Sequence, residues 1–468
     1  MKKIMIALFA ICGMATVKAQ TLLPQNPIMY EVNLRHHTQQ GNIQAFLPSI
    51  EELQYLGVNV LWVMPSQPIG KKKRKAKGDV FVEDLVQVEG EMDKWEKFKG
   101  SPYAIADYTA VNPDYGILED FRTLVKKCHE NGIIVILDWV ANHTAWDHKW
   151  ITEHPEWYMK NDKGEITDPL DKAGKSQGWT DVAKLNYAEP GLRKAMIASM
   201  KFWIDSVDLD GFRCDAAMDV PADFWAEATT ELRKAKPIFM LAESEEHDMD
   251  QFNGPFNAYY GWEVHHILNK ISQGKETPKE LCKQVERKHK KFPTDVFSMN
   301  FITNHDENAW NGTLFERMGD AWKAIAVYTY FAPGIPLLYT GQEVGNNKRL
   351  AFFEKDNVMA SRDAASISKF YRELGRLKRS LPEMGISEEL NNAVTFDVHN
   401  KALISWVRET AEADRSQRSR TYVVVNMSDK NQKWGKRPQG DIIMTSGGSD
   451  KSIEPWGYRV IKMTYKSK

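Results

Sequence analysis

Four short stretches of this chain hold residue types that can do chemistry together. They are Asp138, Asn142 and His143 in DWVANH, Arg213 and Asp215 in GFRCDAA, Glu243 in FMLAESEE, and His305 with Asp306 in FITNHDEN. The last three read as short apolar runs whose final residues turn abruptly charged. Apolar strands that end in carboxylates are what a parallel β/α barrel offers at its C-terminal mouth, where its chemistry sits. Asp215, Glu243 and Asp306 then converge from three different strands, with Arg213 beside them. Three carboxylates with one cation and one or two histidines suit acetal hydrolysis. An acid protonates the leaving oxygen and an anion meets the positive charge developing on the sugar ring.

The residue types suggest separate tasks. Arg213 lies two residues before Asp215 and so shares its face of the strand. A guanidinium at that range favours the carboxylate anion, which suits Asp215 as nucleophile. For this pair taken alone, a structural ion pair is an equal alternative. Glu243 follows the apolar IFMLA, at a strand end partly withdrawn from water, and suits the general acid/base. Glu245 and Glu246 are alternatives, but they lie past the strand end, nearer solvent. Cys214 adjoins the nucleophile, and strand alternation turns it away from the barrel interior.

The elements that must position these groups follow from periodicity. Strands are expected at 28–34, 58–65, 133–142, 211–216, 238–243, 256–263, 298–305 and 336–342, with amphipathic helices between them. Eight alternating strands predict an α/β fold, a closed parallel (β/α)8 barrel over residues 27–389. Helical spacing over 118–131 ends at Gly132, the position of a C-terminal cap. A polar segment, 144–186, is too long for an ordinary βα loop and reads as a small excursion. The basic run KKKRKAK at 71–77 reads as a solvated surface loop, with contact to an anionic surface as the alternative. Beyond 390, period-two alternation predicts a C-terminal antiparallel β-sandwich over 390–468, with 409–420 as a hairpin tip.

The order D-x-x-x-N-H, G-F-R-x-D, strand-Glu, N-H-D resembles the α-amylase superfamily of retaining glycoside hydrolases, whose motifs end barrel strands three, four, five and seven. YEVNLR, GVNVLWVMP, SPYAIADYTAVNPDYG and PGIPLLYTGQE extend the match over nearly the whole chain. The resemblance implies double displacement with retained configuration on α-1,4-linked glucans of the starch type. It implies that Asp306 holds sugar hydroxyls and favours the distorted transition state. His143 and His305 match histidines that hydrogen-bond the sugar at the cleaved end, and Tyr103 matches the tyrosine stacked on that ring. Asp107 matches an aspartate that supports the catalytic arginine. The segment 144–186 matches the excursion called domain B.

Three positions depart from the family pattern. Met218 and Asp219 stand where many members carry Lys-His for the acceptor sugar. Ala104 replaces an aspartate that closes the pocket of exo-acting α-glucosidases, which favours an open cleft and internal cleavage. Lys184 replaces a domain-B aspartate that shares a calcium ion with the position of Asn142, so no calcium is expected there, and no other cofactor or metal. An exo-α-glucosidase and a glucan transferase are the competing enzymes. A sugar-binding protein without catalysis is the remote alternative, and it has no need of an acid/base pair.

Bulk properties agree with a neutral polymeric substrate. A net charge of −1 gives no electrostatic case for nucleic acid or an anionic membrane. Aromatic residues make up 11% of the chain and offer faces for pyranose rings, although most of the fifteen tryptophans are expected in the core. Residues 1–19, with Lys2 and Lys3 before a short apolar run, read as a signal peptide, which predicts export to the periplasm or beyond. No later run approaches the ~20 apolar residues of a spanning helix. Cys128, Cys214 and Cys282 remain after cleavage, an odd number expected to be reduced and buried.

Overall fold

The computed structural model describes residues 22–89, 97–171, 173–245, 252–291, 295–387, 390, 394–410, 418–435, 437–449 and 451–463. The signal-peptide reading and Glu246 lie outside them. Eight short parallel strands close into a barrel: β1 (Met29–Val32), β2 (Val60–Val63), β3 (Ile134–Trp139), β4 (Gly211–Cys214), β5 (Phe239–Ala242), β6 (Ala258–Tyr260), β7 (Phe297–Asn300) and β8 (Ile335–Tyr339). Each pairs with its neighbours in chain order, and β8 closes on β1 with Met29 opposite Leu337. The strands fall within or close to the segments expected from sequence. They are shorter because the paired core stops where polar residues turn out of the barrel mouth.

Alternation divides the barrel residues between two cores. Met29, Trp62, Ile136, Leu241, Tyr260 and Met299 fill the interior. Their neighbours, Cys214 among them, face a larger core under the helices. The helix α1 (Leu118–Glu130) buries Phe121, Leu124, Val125 and Cys128 at three- and four-residue spacing. Gly132 follows it with φ +68°, the left-handed geometry of a cap. Gly211 opens β4 so close to β5 that a Cβ there would lie 1.8 Å from the Phe239 carbonyl oxygen. Cys128 and Cys214 are buried, but Cys282 is only half-buried on the helix spanning Lys279–Lys291.

The excursion after β3 is closed at its base by an antiparallel ribbon, His143–Ala145 against Val182–Lys184. The basic run departs from its expected form. Lys75–Lys77 pairs with Val80–Phe81, and Lys75 is buried rather than solvated. The C-terminal strands β9 (Thr395–Val398), β10 (Leu403–Glu409), β11 (Arg420–Asn426), β12 (Gly440–Thr445) and β13 (Tyr458–Met463) form one antiparallel sheet, ordered β9-β10-β11-β13-β12. One face joins the barrel core through Trp406, Val423 and Val460. Over the other lies a second layer, in which the described residues form two strands, Gln432–Lys433 and Ser452–Ile453, with Trp434 between the layers. Among the described residues no helix is long and apolar enough to cross a membrane.

Candidate active site

Parallel pairing continues one residue past β4 and β5 and places two carboxylates side by side. Asp215 N–H donates to the Trp139 carbonyl at 3.0 Å, and Glu243 N–H donates to the Cys214 carbonyl at 3.0 Å. Between them stands Arg213, fully buried. Its Nη1 donates to Asp215 Oδ1 at 2.9 Å and to Asp138 Oδ1 at 2.8 Å, and its Nη2 lies 2.9 Å from Glu243 Oε2. Its Nε donates to the Tyr260 hydroxyl at 2.9 Å. The residue after Asp215 is strained: Ala216 has φ 41° and ψ 47°, a left-handed conformation unusual for a side chain with a Cβ. That turn aims the Ala216 N–H at Glu243 Oε2, 2.9 Å away.

The remaining residues singled out from sequence surround the same cavity of about 370 Å³, whose lining includes Tyr103, His143, Asp215, Glu243, His305 and Asp306. Tyr103 donates its hydroxyl to Asp138 Oδ2 at 3.1 Å and stands 2.7 Å from His305 Nε2. Asp138 also accepts from Trp62 Nε1 at 3.1 Å. His305 is held from behind by Glu31, with Nδ1 2.5 Å from Oε1, and its Nε2 lies 3.3 Å from Asp306 Oδ2. Arg213 therefore sits behind the carboxylates, while the histidines and Asp306 edge the open space.

Charge is unequally shared here. Burial pushes Glu31, Asp138 and Asp215 above the ordinary carboxylate range, and Arg213 opposes it at each. For Asp215 burial prevails over the lowering by the Arg213 guanidinium, and the charges of Glu243 and Asp138 reinforce the rise, so the net direction is opposite to the one the sequence suggested. Burial would lower His305, but Asp306 and Glu31 outweigh it and raise the ring to about 9. His143 is pushed down to about 3 by burial, with the Lys184 charge adding to it, and is a neutral imidazole.

Several sequence expectations change place. Asp107 accepts from Thr109 N and Oγ1 within its own loop, whereas the carboxylate that supports Arg213 is Asp138. Ala104 is buried against Ala145 and Val182, not on the cavity wall. Glu245 borders a separate depression with Glu263 and Arg287. Lys184 Nζ meets Asn142 Oδ1 and donates to the Asp219 carbonyl at 2.9 Å. Sequence reasoning passed over Glu31, Asp138 as the arginine's support, and Ala216. A carboxylate inside the apolar runs MYEV and IVILDW was the available signal for the first two. Nothing local marks Ala216.

Comparison with known proteins bears on this arrangement. The family model described as alpha amylase, catalytic domain, matches residues 32–380. The chain belongs to the alpha-amylase family. Alpha-amylase 3 of Dictyoglomus thermophilum is 24% identical over 353 residues, 69% of this chain and 64% of that protein. An alpha-1,4-glucan:maltose-1-phosphate maltosyltransferase of Mycolicibacterium smegmatis is 31% identical over 215 residues, 44% of this chain and 29% of its own length. The chain thus spans less than two thirds of these relatives. In fold it resembles the crystal structure of an alpha-amylase from Lactobacillus plantarum, with TM-score 0.76 and 24% identity over 94% of this chain and 99% of that one.

Proposed function

We propose that this family member hydrolyses α-1,4-glucosidic bonds of starch-like glucans with retention of configuration. The observation that carries the reading is the single guanidinium of Arg213 in contact with both Asp215 and Glu243. A shared cation holds two carboxyls close together, which favours the ~5–5.5 Å spacing of retaining enzymes over the wider spacing that admits a water. Acting as the acid, Glu243 donates a proton to the departing glycosidic oxygen, and that bond breaks as the Asp215 carboxylate forms an ester with the anomeric carbon. Glu243 then takes a proton from water, which attacks the same carbon and frees Asp215. Asp306 and neutral His143 hydrogen-bond the sugar hydroxyls, and Tyr103 walls the ring whose glycosidic bond is cleaved.

Asp215→Asn and Glu243→Gln are each expected to lower kcat on maltoheptaose by about 10³-fold or more with unchanged melting temperature, since each removes a group used in the transition state. Near-normal turnover in either variant would overturn the assignment. Early products should span several lengths; glucose alone from the first time point would favour an exo-α-glucosidase. Transfer to a second sugar is the other reading, supported by the similarity to a maltosyltransferase. It predicts products longer than the substrate when acceptor maltose is added. No calcium is required in this proposal, because the Lys184 ammonium meets the Asn142 oxygen that would face the ion. The reading also includes export through residues 1–19, tested by N-terminal sequencing of the periplasmic or secreted protein.

A further inference from the structure

The described tryptophans are nearly all buried or half-buried, and the two exceptions stand together. Trp179 is 38% exposed and Trp310 is 52% exposed; both line the cavity that holds Asp215 and Glu243. A single exposed apolar ring is ordinary. Both of the exposed ones on a single cavity is not scatter. Their places in the fold are also opposed. Trp179 lies in the excursion that follows β3, and Trp310 follows β7. In a closed barrel of eight strands in chain order, β3 and β7 face each other across the mouth.

Each ring is held in place by contacts from outside the carboxylate cluster. Trp310 rides a π-helical turn, Glu307–Asn311, a geometry often kept at functional sites. That turn is anchored from below, where Glu307 Oε2 lies 3.0 Å from His265 Nε2 and 3.3 Å from Arg317 Nη1. Asn308 ties it to the loop after β8, accepting from Leu350 N at 2.8 Å and donating to the Lys348 carbonyl at 3.1 Å. That loop brings Phe352 to 5.1 Å from the Trp310 ring. On the opposite side, buried Lys75 donates to the Gly178 carbonyl at 2.6 Å, fixing the residue before Trp179. The basic run thereby serves as a strut for the excursion. Trp179 in turn lies 5.9 Å from the His143 ring, at an interplanar angle of 58°.

We propose that Trp179 and Trp310 are stacking platforms for two different glucosyl rings of one chain, on opposite sides of the glycosidic bond that is cleaved. The proposal rests on the α-glucan reading above and extends it to chain length: the site selects oligosaccharides that reach both platforms over shorter ones. An apolar pyranose face against an indole covers surface that is otherwise left in water, and neither platform adds charge, as a neutral glucan requires.

The test uses the full chain with maltotriose and maltoheptaose. The ratio of kcat/KM for the long substrate to that for the short one is read in wild type and in Trp179→Ala, Trp310→Ala and the double variant. Each single variant is expected to lower the ratio by about tenfold and the double variant further, and Trp→Phe at either position should restore most of it. Binding of maltoheptaose to Glu243→Gln, followed by quenching of tryptophan emission, should weaken in parallel when Trp179→Ala or Trp310→Ala is added. A ratio unchanged in both alanine variants, or equal losses on both substrates, overturns the platforms while the hydrolase reading stands. A wild type that neither cleaves nor binds either substrate removes both.

Discussion

Two histidines that look alike in sequence, each beside a motif asparagine, differ in charge in the fold: one is neutral and the other a cation. His143 is neutral because burial and Lys184 both disfavour its cation. His305 is as deeply buried, yet it stands between Glu31 and Asp306 and is raised from 6.5 to about 9. A group whose folded pKa is raised contributes stability that is fully present below its unfolded pKa and is lost as pH rises through the folded one. The His305 contribution is therefore expected to be complete below about pH 6.5 and to disappear as pH passes about 9. The melting-temperature advantage of wild type over His305→Gln should be largest near pH 6 and shrink by pH 10. An advantage that does not change across that range would show that His305 is not held as a cation. The same two carboxylates explain why Glu31, far from the motif histidine in sequence, belongs to the site.

The proposal that no calcium is required belongs to the ribbon at the base of the excursion. It pairs His143 directly with Lys184, so a ring that lines the cavity and the substituted position share one register. Burial lowers the Lys184 ammonium to about 8, partly opposed by Asp219, so it remains a cation near neutral pH. It supplies hydrogen bonds to the Asn142 side chain and the Asp219 carbonyl that a bound ion would otherwise satisfy. Lys184→Met leaves both oxygens without that donor and should cost roughly 1–3 kcal/mol in chemical denaturation. The melting temperature of wild type should be the same in excess chelator and in millimolar calcium. A large rise with calcium, abolished by Asn142→Ala, would restore a bound ion.

The barrel and the C-terminal sheet share one core. Trp406 is buried in their contact, donates Nε1–H to the Phe331 carbonyl at 3.0 Å and stacks on Phe396 at 5.6 Å. Arg408, fully buried, donates to the carbonyls of Glu383 and Gly385 at 3.1 and 2.7 Å. An interface with core-like burial couples the unfolding of its two sides. A single denaturation transition is expected for the wild type, and Trp406→Ala should destabilise it by about 3–5 kcal/mol, the cost of emptying a large buried site. Two separate wild-type transitions, with Trp406→Ala moving only one of them, would show that the sheet folds independently.

By itself the sequence determined the eight-strand barrel, the order of its motifs and the identity of the residues that leave its strand ends. Those properties are local: alternation, apolar run length and an abrupt carboxylate are written within a few residues of one another. Tertiary structure decided what each of those residues meets. It placed Asp138 rather than Asp107 against Arg213, buried Ala104 away from the cavity and turned Lys75 inward as a strut. It also set Glu31 behind His305 across 274 residues of chain. Charge state, cavity shape and the opposition of Trp179 to Trp310 depend on through-space fields and barrel closure, which no window of sequence contains.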